Sequence, residues 1–208
     1  MNRGTLKTVR FLAPPIIILT LYSMAAKTLG FSEIGLPKSA KDLWFNAPAL
    51  VMALAYYLSP LRSWANGGHH KNVQLNITTQ MLRTGQVKDA SDIPTKKIMN
   101  VFYRQIDNDA SLKARSEDIM FNGAIWTTLA DLVSLSSLFS IGLLISWLAD
   151  ALDSLEISLG FAVLAIGCSI LQFLATQKHI QMSNGQLEYI ADHRREEVRA
   201  DFANIHSE

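Results

Sequence analysis

WTTLADLVSLSSLFSIG, residues Trp126 to Gly142, decides how the rest of the chain is read. The stretch is apolar enough to enter a bilayer, yet it carries Asp131 and four serines. In a soluble core helix the aspartate is only a polar intrusion. In a membrane span a carboxylate is energetically unfavourable and is by default a hint of function.

Composition favours the second alternative. The 208 residues are 49% hydrophobic and 18% charged, too apolar for an ordinary soluble domain and too charged for a chain wholly in lipid. The apolar residues are accordingly segregated into Phe11 to Ala26, Leu43 to Leu61, Leu129 to Leu148 and Ile157 to Thr176. Crossing a hydrocarbon core of ~30 Å takes ~20 residues. Three blocks approach that length, and the first reaches it if Lys27 snorkels and Thr28 to Phe31 are included. Four spans are expected. Arg3, Lys7 and Arg10 precede the first block as in a signal peptide, but Pro14 and Pro15 and the lack of a small-x-small site favour an uncleaved anchor.

Orientation follows from the basic residues, which are retained on the cytoplasmic side. Arg3, Lys7 and Arg10 precede span one, nine lysines and arginines lie between Arg62 and Asp118, and Lys178, Arg194, Arg195 and Arg199 follow span four. The other side holds only Lys27, Lys38 and Lys41, and the turn Ala149 to Glu156 has none. The expected fold class is therefore all-α, an integral protein of four transmembrane helices, multi-pass in the inner membrane, with N and C termini cytoplasmic and helices three and four extended into the cytoplasm. Its parts are a hairpin over 1–62, a cytoplasmic helical segment over 63–118, a second hairpin over 119–177 and an amphipathic tail helix over 178–208. With a net charge of +1, no direct nucleic-acid binding is expected.

Local signals refine these parts. Gly67-Gly68 marks a turn, Gly85 a break, and SDIP a helix start with Asp92 as cap and Pro94 in the first turn. Ile98, Val101, Phe102 and Ile106 follow at helical spacing, and Asn108 to Ser111 break that helix. The next runs from about Ser111 through span three. Span four continues into the tail, where Leu187, Ile190, Val198 and Phe202, with Arg194 beside them, form a partner-binding candidate. That stripe packs either on the 92–108 helix of the same chain or on another protein.

Two further faces stand out. At ~100° per residue Asp131 shares a side of span three with Thr127, Thr128, Ser134, Gly142 and Ser146, while Ser136, Ser137 and Ser140 point elsewhere. Asp131 is then either a carboxylate at headgroup level, bonded to water or to a basic residue such as Arg62, or part of a hydrophilic lining. In span four Ser158, Ala162, Ala165, Ser169, Gln172 and Thr176 recur at steps of three and four, a seam that lets helices approach closely within one chain or between subunits.

Catalytic signals are weak. Cys168, the single cysteine, excludes a disulfide framework and cysteine-based metal spacing. His69-His70 lacks neighbouring ligands. Asn76-Ile77-Thr78 falls in the cytoplasmic segment, where a glycosylation sequon is meaningless. Arg199 to His206 fits an Arg-x6-His spacing of the HEPN ribonuclease class, but it is short and terminal. No enzyme activity, metal or cofactor is expected.

In layout the chain resembles the flagellar stator and its TolQ and ExbB relatives, but spans three and four lack proline and those proteins' glycine-rich signature. Through its small size and the continuous ATQKHIQMSNGQLEYIADHRREEV helix at the membrane exit, it also resembles the small four-span membrane subunits of bacterial phage-defence systems, such as the Kiwa membrane component. That resemblance implies an oligomeric scaffold or sensor in the lipid bilayer, a homo-oligomer recruiting a soluble cytoplasmic protein. The alternative is a channel lined by the polar face of span three.

Topology is testable directly. Reporter fusions at residues 36, 90 and 205 should read outside, cytoplasmic and cytoplasmic. An external reading at 90 overturns the four-span topology.

Overall fold

The structure, a computed structural model, describes residues 3–30, 47–87 and 91–207. Among them the chain is all α-helical, with seven helices: α1 (Arg3–Thr28), α2 (Ala47–Leu58), α3 (Leu61–Thr84), α4 (Thr95–Asp107), α5 (Ala110–Leu148), α6 (Leu155–His193) and α7 (Arg195–Ser207). Three are long and apolar enough to cross a membrane: α1 over Thr8–Thr28, α5 and α6. At ~1.5 Å per residue the 39-residue α5 and α6 each run for roughly 58 Å, well beyond a bilayer core. The expected second span corresponds to α2, of which 12 residues are described; Leu43 to Asn46 lie outside the described residues.

Helices form two compact units, Gly4–Gly67 with Ala124–Phe173, and Met1–Arg3, Gly68–Gly123 and Leu174–Glu208. The first joins the two expected hairpins, and the second joins the segments expected to be cytoplasmic. In the first, Ile17, Ile18, Leu21, Ala53, Tyr56, Leu135, Leu143 and Phe161 form the core. Its polarity is inverted: Asp131 is 0% exposed while Val163 is 69% exposed, and Asp131, Ser136, Ser154, Ser158 and Gln172 are buried. Phe11, Ile16, Leu54, Ile141, Ile145, Ile166 and Ile170 are exposed. An apolar surface of this extent belongs against lipid, so this unit is the membrane-embedded part of a multi-pass protein.

The second unit has the opposite, conventional polarity. Val73, Ile77 and Met81 of α3, Ile98, Val101, Phe102 and Ile106 of α4, Leu112 of α5, Leu187 and Ile190 of α6, and Val198 and Phe202 of α7 are buried. α4 and α7 pack together, and Asp201 accepts bonds from Arg104 Nε and Gln105 Nε2, each at 2.9 Å. Gln186 Nε2 donates to the Leu112 carbonyl at 3.0 Å. Asn184 Oδ1 accepts from Asn76 at 2.6 Å and Gln80 at 2.7 Å.

Helix ends show where the sequence signals succeed and fail. Asp109 caps α5, its Oδ1 accepting the Ser111 and Leu112 amides at 2.9 and 3.0 Å. These bonds, the Leu112 amide foremost, with Arg194 and Tyr189 nearby, hold its carboxyl below the usual carboxylate range. A carboxylate with a lowered folded pKa stabilises above its unfolded value of ~3.9 and loses that contribution as pH falls through the folded one. The cap is therefore intact at neutral pH. α3 ends at Thr84 with Gln86 at φ 55°. Val87 N bonds the Leu82 carbonyl and Gln86 N that of Arg83, both at 3.1 Å, the 6→1 and 5→2 pair of a Schellman cap.

Three expectations are corrected. Gly67 and Gly68 lie inside α3 rather than in a turn, because Ser59-Pro60 already makes the break. Asp92 does not cap α4, whose N-cap is Pro94 with no side-chain bond. The tail is not one helix: α6 ends at His193 and α7 begins at Arg195.

Glycine substitutions separate packing from propensity. A Cβ at Gly85 would lie 2.4 Å from Cδ2 of Phe202, whereas at Gly67 it meets nothing within 4 Å. We expect Gly85→Ala to destabilise by about 1–3 kcal/mol through overpacking, and Gly67→Ala to stabilise by about 0.5–1 kcal/mol. Thermal unfolding in detergent checks both; an unperturbed Gly85→Ala contradicts the close approach of Phe202.

Candidate functional site

The site begins with two prolines. Pro60 separates α2 from α3, so Tyr56 sits in the last turn of one helix and Arg62 in the first turn of the next. Ser59 Oγ donates to the Tyr56 carbonyl at 2.8 Å and accepts the Leu61 amide at 3.3 Å, fixing the bend. Pro14 lies within α1. Having no N–H, it leaves the carbonyl four residues back, that of Arg10, without its helical donor. Arg62 Nη2 takes that place, donating to the Arg10 carbonyl at 2.7 Å.

The same guanidinium meets Asp131. Arg62 Nε bonds Oδ1 and Nη2 bonds Oδ2, each at 3.0 Å, the two-pronged fit of guanidinium to carboxylate. Tyr56 donates to Oδ1 at 3.0 Å. With its one proton so used, Tyr56 accepts from Ser134 in the 2.7 Å bond they share. The carboxylate is thus fully buried, neutralised by charge and satisfied by three donors. Of the two expected forms of Asp131, the pair with Arg62 is the one present; Tyr56 and the Arg10 carbonyl were not anticipated. The Pro14 spacing was a usable signal for the latter.

The rest of the polar face of span three is dispersed. Thr127 and Thr128 are half-buried, Thr127 Oγ1 bonding back to the Ala124 carbonyl at 3.0 Å. Gly142 and Ser146 line an open, largely apolar cleft of about 750 Å³ with Ile18, Tyr22, Leu135 and Phe139. Ser140, on another side, makes a direct interhelical contact: its hydroxyl donates to the Ser158 carbonyl and that of Ser158 to the Ser140 carbonyl, both at 2.8 Å.

The seam of span four is used within the chain. Ser158, Ala165, Gln172 and Thr176 are buried and Ala162 half-buried, while Ser169 is exposed. Gln172 Nε2 donates to the Ala65 carbonyl at 3.4 Å, and Thr176 Oγ1 meets His69 Nδ1 at 3.0 Å. The tail stripe is likewise covered. Leu187, Ile190, Val198 and Phe202 are buried within their own unit, and Arg194 pairs with Asp109 at 3.6 Å and with Glu197. Of the two covers expected for the stripe, the chain's own helices are the one present, with α7 and its Val198 and Phe202 packed on α4.

Cys168 is buried and free. Among the described residues no three His, Cys, Asp or Glu side chains gather as a metal site requires. Arg199 pairs with Glu196, and the His206 side chain lies outside the described residues. Comparison with protein-family models, curated proteins and solved structures finds no match.

Removing one partner of a buried ion pair leaves the other uncompensated. Asp131→Asn should therefore destabilise the protein in detergent by about 3 kcal/mol, against about 1 kcal/mol for Ser134→Ala, which loses a neutral hydrogen bond. Equal effects of the two would contradict a charge-based lock.

Proposed function

We propose that the chain is an oligomeric membrane scaffold in which four spans anchor a cytoplasmic helical unit that recruits a soluble protein. The observation that supports this most is the second unit. An anchor requires only the spans, yet α3, α4, α5, α6 and α7 build a separate core with cross-helix polar ties such as Arg104–Asp201 and Asn184–Gln80. The recruiting surface is then the outside of that unit, where Tyr103 and Leu75 are exposed, and not the buried tail stripe. The resemblance to Kiwa-type membrane components suggested by size and by the helix at the membrane exit makes soluble phage-defence effectors the first partners to try, beginning with the products of adjacent genes.

The channel reading has less support. Asp131 is buried and paired with Arg62, and the cleft beside Gly142 and Ser146 is apolar, whereas an ion path needs exposed polar groups to replace water.

Reconstitution distinguishes the two. Liposomes carrying the full chain should show no ion leak above that of empty liposomes, and Tyr103→Ala should abolish co-purification of the adjacent soluble protein. A leak that Asp131→Asn removes would establish the channel reading instead.

A further inference from the structure

Arg10 occupies an unusual position on α1. Its neighbours Val9, Phe11 and Leu12 are exposed apolar residues on the lipid-facing unit, while Arg10 itself is half-buried. Its Nε is buried and has no hydrogen-bond partner among the described residues. The Asp131 carboxylate is no help, because both its oxygens are taken by Arg62 and Tyr56. Two guanidiniums, joined through the bond from Arg62 to the Arg10 carbonyl, thus stand against one carboxylate. Among the described residues one positive charge is left over, and it sits on a side chain that is only half-buried and so can be met from outside the protein.

The surroundings indicate what balances that charge. The Phe11 and Tyr57 rings meet edge to face at 5.4 Å, and the Arg62 guanidinium lies 5.6 Å from the Tyr57 ring centre. Trp64, two residues beyond Arg62, is 76% exposed. Exposed aromatic rings alongside arginines mark the headgroup layer of a bilayer, where phosphate oxygens are dense and the guanidinium fork matches them.

We propose that Arg10, backed by Arg62, binds the phosphate of an anionic phospholipid. The excess positive charge selects anionic over zwitterionic lipids, since it repels the ammonium group that a choline headgroup carries beside its phosphate.

Thermal unfolding of the full chain in detergent, with lipids added, tests this. Phosphatidylglycerol should raise the midpoint, while phosphatidylcholine of the same chains and inorganic phosphate should not. In Arg10→Gln the phosphatidylglycerol concentration required should rise about tenfold, the loss of one charge-assisted contact, and Arg10→Lys should fall between. If Arg10→Gln does not accumulate, the comparison of lipids on the unaltered chain and on Arg10→Lys decides. Equal stabilisation by phosphatidylcholine overturns the proposal, as does an unchanged requirement in the variants. Stabilisation by inorganic phosphate equal to that by phosphatidylglycerol overturns the assignment to a lipid headgroup.

Discussion

A carboxylate among apolar helices has to be neutralised where it stands, and the pairing of Arg62 with Asp131, 69 residues apart, does this. Desolvating two charges is unfavourable, and attraction offsets it only when geometry is good and the remaining lone pairs are filled. Here the guanidinium meets both oxygens, Tyr56 fills a further position, and Nη2 gives its second proton to the Arg10 carbonyl. One ion pair thereby ties α1, the α2–α3 bend and α5 together. The prolines make this possible, Pro60 by placing Tyr56 and Arg62 on successive helices and Pro14 by freeing the carbonyl.

Elsewhere in the lipid-facing unit the same constraint recurs in neutral form. Ser140 and Ser158 satisfy each other's carbonyls, and Ser154 donates to the Leu143 carbonyl at 2.7 Å. Small hydroxyls allow close helix approach and supply the bonds that apolar packing in lipid does not. The second unit relies on a conventional apolar core with amides and ion pairs around it. These two chemistries account for a chain whose overall composition fits neither class of protein.

Much of this was legible in the sequence because periodicity and uncharged length report directly on what a helix must face. The three long spans, the restart of α5 after Asn108 and the end of α3 near Gly85 could be read that way, whereas Arg62 could be named only as one alternative for Asp131 beside water or a hydrophilic lining. What could not be read depended on tertiary neighbours. Gly67 and Gly68 resemble a turn, but on an open helix face they carry only a propensity penalty, which neighbouring turns absorb. The stripe of Leu187, Ile190, Val198 and Phe202 announces a covered face without naming its cover. The seam at Ser158 to Thr176 likewise shows close packing but not whose helix packs there.

The last of these ambiguities turns on whether polar groups in the spans are satisfied inside one chain. A double-mutant cycle on Arg62→Met and Asp131→Asn, followed by equilibrium unfolding in detergent, measures this most directly. The account predicts that the double variant is more stable than the sum of the single losses implies, by at least about 2 kcal/mol. Strictly additive losses would mean that the two side chains do not hold each other.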